Sequence, residues 1–317
     1  MLVGIPVAGA GLYLTQPIGR VDRATSQELV DPGRLRIHVE KLTTSTSIAP
    51  RTVVFPKNLD RAAEYVRDRL VAAGIEASFE SFDVGGRPFR NVVARIGPDH
   101  GERIVVGAHY DAAGPGVGAD DNASGIAGLL ELAPLVQSAA LPLCVELVAY
   151  ALEEPPYFRT RSMGSFVHAD GLRKAGVAVR AMICLEMIGY FSDAEGSQDY
   201  PFPGLGLLYP TRGNFIAVVG CVGQAGITRR VKRAMAKAAE LPVCSINAPR
   251  FLPGIDFSDH LNYWDMGFDA VMVTDTAFYR NANYHEQSDT ADTLDYVRMA
   301  LVVEQVFGAV RELCRDD

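Results

Sequence analysis

No C-x-x-C pair, no internal repeat and no low-complexity tract occurs in these 317 residues, and the lysines and arginines are expected to form no run dense enough for nucleic acid. That expectation and a formal net charge of -8 argue against nucleic acid as a partner, since phosphate binding needs clustered positive charge. Cys144, Cys184, Cys221, Cys244 and Cys314 are odd in number, and the first three lie in or beside apolar runs. They read as buried free thiols and imply no disulfide framework. Residues 1–14 are apolar but too short to span a bilayer comfortably, and they lack the basic front of a secretory signal. We read residues 1–32 as an apolar N-terminal segment and linker with two open meanings. Either it ends an export signal or membrane anchor that begins upstream, making the protein exported or membrane-associated, or it is an arm packed on a cytoplasmic protein. The first is the expectation carried forward.

What is present is a core. With 48% hydrophobic content, residues 33–317 suffice for one large α/β domain. Helical spacing predicts helices over 33–42 and 58–73, the second stopped by Gly74. Strands are predicted over 76–84 and 90–96, joined by a turn at Gly85 and Gly86. Apolar runs then alternate with helical patterns. Strands fall at 104–108, 143–152, 177–185, 215–222, 241–246 and 270–274, with helices at 124–137, 165–174, 226–239, 260–266 and 292–313. This alternation predicts a three-layer sandwich, a central mixed, mainly parallel sheet flanked by helices. Residues 191–213, rich in Gly, Pro and Asp, read as a long loop that covers the site.

The chemistry starts at 107–125, G-A-H-Y-D-A-A-G-P-G-V-G-A-D-D-N-A-S-G. His109 ends a strand buried on both faces, where open α/β sheets bind ligands. Asp121 precedes a helix whose dipole favours the ionised carboxylate that a metal needs. Further on, Glu153-Glu154, Glu186 and His285 follow other apolar runs. An unpaired charge directly behind a buried strand is costly, so the recurrence needs an explanation, and histidine with carboxylate but no cysteine suits zinc. Glu153 and Glu154 point in different directions, so one can bind metal while the other takes a proton from water.

Together H-Y-D, G-A-D-D-N-A-S-G, A-L-E-E-P, L-E-M-I-G and N-Y-H resemble the motifs of the zinc-dependent aminopeptidase family with two adjacent metal ions. The wider superfamily includes glutaminyl cyclases and glutamate carboxypeptidases. The resemblance runs from about residue 35 to the C-terminus with the motif order intact. It implies His109 and Glu186 on one zinc ion, Glu154 and His285 on the other, and Asp121 bridging. It makes Glu153 the general base, Asp111 the carboxylate that orients the His109 ring, and Tyr284 a donor to the oxyanion. The implied activity is removal of N-terminal residues from a peptide substrate. One departure matters: Glu186 stands where the aminopeptidases usually carry aspartate, which leaves a single-zinc enzyme and a cyclase-like acyl transfer as alternatives. An inactive binding protein of the same fold ranks third.

Other residues carry weaker signals. Ser258-Asp259-His260 cannot form a nucleophilic triad from consecutive positions, so Ser258 or Asp259 is expected to cap a helix, with His260 near substrate. Arg159 is a candidate for holding a substrate carboxylate, although it and Arg161 also suit solvated loop positions. Phe257, Tyr263 and Trp264 suit a pocket or a core, and Asp289 is expected to fix the loop bearing His285.

Overall fold

The longest apolar runs of the sequence become the middle of an eight-stranded sheet. β3 (Arg103–His109), β4 (Cys144–Tyr150), β5 (Val179–Glu186) and β8 (Ala270–Thr274) pair in parallel in the spatial order β4-β3-β5-β8. Their side chains are mainly apolar on both faces because helices cover both faces, and the buried Glu146 of β4 is paired with Arg95 and Arg103. The hairpin of β1 (Ala77–Val84) and β2 (Arg87–Ile96) adds antiparallel to β4, turning at Gly85 and Gly86 with φ of 64 and 82. β6 (Ile216–Cys221) joins β8 antiparallel, and β7 (Val243–Ala248) forms the far edge parallel to β6. The computed structural model describes residues 4–19, 29–114 and 116–315.

One face of the sheet, with Ile104, Val106 and Ala108, packs against α2 (Pro32–Thr44), α3 (Pro56–Ala72), α4 (Gly125–Ser138), α6 (Ala225–Ala238) and α8 (Tyr296–Leu313). The other, with Val105, Val148 and Met182, packs against α5 (Gly164–Lys174) and α7 (His260–Asp265). The expected three-layer sandwich is the observed one. α3 shows why these segments are helical: Leu59, Ala62, Ala63, Val66 and Leu70 recur at three- and four-residue spacing and are all buried. α8 starts four residues later than its periodicity suggested, because a short turn (Ala291–Thr293) precedes it and Asp295 caps it by accepting from Arg298 N.

The apolar N-terminal stretch is helical over α1 (Gly4–Thr15), which lies against β7. Among the described residues, no helix is long and apolar enough to cross a membrane. Most of the predicted linker, residues 20–28, lies outside the described residues. All five cysteines are free, four of them buried.

Parallel pairing settles where the chemistry can be. β3, β4, β5 and β8 end at the same edge, and the register sets His109 opposite Tyr150 and Glu186 opposite Thr274. Side chains just past those ends converge at a crevice outside the sheet.

Candidate active site

At that edge the carboxylate of Asp121 stands between two imidazoles. Its Oδ1 is 3.3 Å from His109 Nε2, and its Oδ2 is 3.1 Å from His285 Nε2. Glu186 Oε2 lies 3.2 Å from His109 Nε2, and Glu154 Oε2 lies 3.4 Å from His285 Nε2. A tetrahedral zinc ion with bonds of about 2.0–2.1 Å would space its ligand atoms roughly 3.3 Å apart. The four separations match that edge length. His109 Nε2, His285 Nε2 and Glu154 Oε1 have no hydrogen-bond partner although they are buried, the condition of ligand atoms that await a cation. The residues therefore fit a metal ion. The five expected ligands converge, from four separate segments of the chain.

The electrostatics point the same way. Burial raises Glu153, Glu154 and Glu186, with Glu154 pushed up to about 8 by burial and by Asp121. Burial opposes the ionised form of Asp121 too, but His109 and His285 outweigh it and hold this carboxylate low. Burial would lower His285, yet Asp121 and Glu154 raise it to about 10. Four carboxylates crowd two imidazoles in a space from which water is largely excluded, and a dication relieves that imbalance.

Several contacts hold the ligands. Asp289 accepts from Asp120 N through Oδ1 and from Asp121 N through Oδ2, tying the loop that bears His285 to the Asp121 turn. This is the fixing role expected of it. Asn122 accepts from Gly125 N and Met187 N and donates to Leu185 O, joining the turn to the end of β5. The Asp121-Asn122 peptide is cis. Gly118, at φ 62, cannot be replaced: a Cβ there would run into the Asp121 carbonyl.

Asp111 departs in part from its expected role. The His109 Nδ1 hydrogen bond goes to the Asp111 backbone carbonyl at 3.1 Å, with the carboxylate 3.6 Å away. The carboxylate oxygens instead accept from Glu153 N and Glu154 N, so Asp111 chiefly fixes the pair of glutamates.

Sequence reading passed over Arg51. Its side chain is wholly buried and donates to four carbonyls, those of Tyr110, Leu42, Val117 and Gly118, each at 2.8 Å. It braces the loop between β3 and Asp121 from beneath. No periodicity marks such a residue, because all its partners are backbone atoms. The only visible signal was a lone arginine in the otherwise uncharged stretch 42–56.

Ser258 was also misplaced. α7 has no side-chain cap from Asp259, and Ser258 Oγ donates to Glu186 Oε2 at 2.6 Å. The Glu186 carboxylate is thereby held in place beside His109. Asp259 is fully buried next to this pair, and burial pushes its carboxyl to about 7.

His260 does not reach substrate. Its ring is fully buried against Trp264, and it shares its Nε2 proton with Ile255 O at 2.8 Å. The main chain turns into α7 here and directs the side chain into the core. Burial lowers its pKa to about 4, below the roughly 6.5 of an unfolded histidine. Between these values the unfolded chain binds the extra proton, so stability is complete above about pH 6.5 and falls as pH drops toward 4. The expected loss is about 3 kcal/mol. Urea titrations of wild type and His260→Gln across this range should differ by that slope, and parallel curves would refute it.

Arg159 is held by Asp256 at 2.5 Å and lies over Phe257, 5.3 Å from the ring centroid. Its charge is already answered, so a substrate carboxylate would have to displace Asp256. Beyond Glu186 opens a pocket with Phe215, Phe257, Met272 and Phe278 among its walls. Tyr200, Leu205 and Tyr209, from the long loop 191–213, form another wall. Of the three aromatics considered, Phe257 lines the pocket, while Tyr263 and Trp264 belong to the second core.

Paired imidazoles and carboxylates at the carboxyl edge of a mixed sheet, beside a further buried glutamate, define a metallohydrolase on an α/β sandwich. The profile of peptidase family M28 matches residues 91–310, and the chain belongs to that family. It is 48% identical over 283 residues to the protein YfbL of Escherichia coli, covering 87% of this chain and 86% of that one. It is 27% identical over 276 residues to a probable leucine aminopeptidase 1 of Trichophyton verrucosum, covering 80% and 68% respectively. Among solved structures, LapB from Legionella pneumophila has a TM-score of 0.70 at 23% identity, covering 91% of this chain and 74% of that chain. The zinc aminopeptidase of Bacillus subtilis also has a TM-score of 0.70, at 14% identity, covering 90% and 95%. At these identities the two structures share the fold.

Proposed function

We propose that this peptidase is a zinc aminopeptidase with two ions, one held by His109 and Glu186 and the other by Glu154 and His285, with Asp121 bridging. One observation carries the reading: the two Asp121 oxygens each face a different imidazole at 3.1–3.3 Å. Zinc supplies Lewis-acid activation of water and polarisation of the scissile carbonyl. Glu153 accepts the proton of the attacking water and returns it to the leaving amine. Burial holds its carboxyl high, and positive charge nearby brings it down, as His109 already does in part. Tyr284 stacks on His285 with ring centroids 3.8 Å apart, and burial keeps its phenol protonated, fit to donate to the oxyanion.

The substrate end follows from Glu186, which belongs both to the ligand cluster and to the pocket lining. A first residue whose side chain fills the pocket has its ammonium beside acidic carboxylates. The walls are mainly apolar and aromatic, which favours leucine- or phenylalanine-like residues. The test is elemental analysis together with a panel of peptides. Expected are two zinc ions per chain, hydrolysis only with a free N-terminus, and at least about tenfold preference for an apolar over a charged first residue. Cleavage of acetylated peptides would overturn the aminopeptidase reading. One zinc with ammonia release from N-terminal glutamine would replace it with a cyclase.

A further inference from the structure

The edge of the molecule farthest from the hairpin combines two surface properties that occur side by side. α1 is seated there by polar contacts to its end: Ser245 Oγ donates to Thr15 O at 2.9 Å, and Lys232 Nζ donates to Thr15 O at 2.8 Å and Gln16 O at 3.3 Å. A cation at a helix C-terminus is favourably placed. Around this helix lies an apolar rim assembled from three segments. Leu12 is 60% exposed on α1, Leu207 and Leu208 are 89% and 50% exposed in the long loop, and Val222 is 58% exposed after β6. They are neighbours: Leu208 comes within 3.9 Å of a Cβ built on Gly11, and the amide of Gly223 donates to Tyr13 OH.

Through Lys232 the end of α1 is tied to α6, A-G-I-T-R-R-V-K-R-A-M-A-K-A, with five basic side chains and no acidic one in a chain of net charge -8. Lys232 is turned inward to α1. Arg229, Arg233 and Lys237 recur every four residues and so share one face, on which Arg229 and Arg233 are exposed. On the helical wheel Arg229 lies about 60° from Lys232, the residue that reaches α1, and Arg233 about 100° from it.

We propose that this edge docks on an anionic phospholipid surface, with the rim of Leu12, Leu207, Leu208 and Val222 entering the headgroup layer and Arg229 and Arg233 pairing with phosphates. A soluble polyanion would use the arginines but leave the exposed leucines without a partner. A neutral surface would use the leucines alone. Stable peripheral attachment takes both signals together. Because Leu205 lines the pocket and Leu207 belongs to the rim, the short turn Pro203–Leu207 would set the pocket beside the lipid.

The test uses the full chain in sedimentation with vesicles of phosphatidylcholine alone or enriched in phosphatidylglycerol. Binding is expected only to the anionic vesicles and to weaken in high salt. Arg229→Glu/Arg233→Glu should lower the partition coefficient by at least about thirtyfold, each charge being worth about fivefold. Leu207→Asp/Leu208→Asp should lower it by at least about tenfold. Circular dichroism and turnover of a soluble peptide by the arginine variant should be unchanged. Absence of binding, equal binding to both vesicles, or wild-type binding by either variant would overturn the proposal. So would retention on heparin without vesicle binding, which would assign the face to a soluble polyanion.

Discussion

Glu153→Gln is expected to lower kcat/KM on a short peptide about a thousandfold while zinc content stays at the wild-type level. The side chain is 6% exposed and buried next to the cluster, yet it makes none of the four close contacts between imidazoles and carboxylates. Its backbone N–H is held by Asp111, so the substitution leaves the course of the chain intact. Glutamine keeps the shape and removes only the proton-accepting oxygen. Steady-state kinetics with elemental analysis on the same sample decide it. A loss under tenfold would remove Glu153 as the general base, and a parallel loss of zinc would make it a ligand.

The second large effect is expected at Arg51. Arg51→Met leaves four carbonyls without the donor that now satisfies them, and each buried unsatisfied polar group costs about 1–3 kcal/mol. After relaxation and water entry we expect about 3–5 kcal/mol of lost stability by urea denaturation. The guanidinium also lies beneath the acidic cluster. Burial lowers its pKa to about 10, against the raising influence of Asp289, Asp111 and Asp121, so it stays charged at neutral pH. Loss of that brace loosens the Val117-Gly118 turn ahead of Asp121. Zinc affinity measured by competition with a chelator should therefore fall together with stability. Arg51→Lys should restore the charge but not the fourfold geometry, and so recover only part of both. A variant within about 1 kcal/mol of wild type and with unchanged zinc affinity would show that the contacts are incidental.

Much of the architecture was legible because burial on both faces leaves a continuous apolar run. β8 was bounded correctly to the residue, and β3 to within one residue at each end. The ligands were legible for a related reason: a charge at the end of such a run has no bland explanation. Helix caps and side-chain directions were less visible. Ser258 and His260 sit in a tripeptide whose composition fits a cap, a triad or a substrate contact equally well. Only the packing of α7 under β5 sends Ser258 to Glu186 and His260 to Ile255. Arg51 was invisible because carbonyl partners leave no trace in side-chain pattern.

By itself the sequence determined the order of strands and helices and the buried thiols and pointed to the candidate metal-ligating side chains, since each follows from local period or from the energetics of burying charge. Only the tertiary structure decided that Asp121 stands between two imidazoles, that Glu186 serves both the cluster and the pocket, and that α1 and α6 meet at one edge. The reason is geometric. Those relations join residues up to 217 positions apart, as Lys232 and Thr15 are, and parallel strand register and helix packing across the sheet set such distances, which no local pattern encodes.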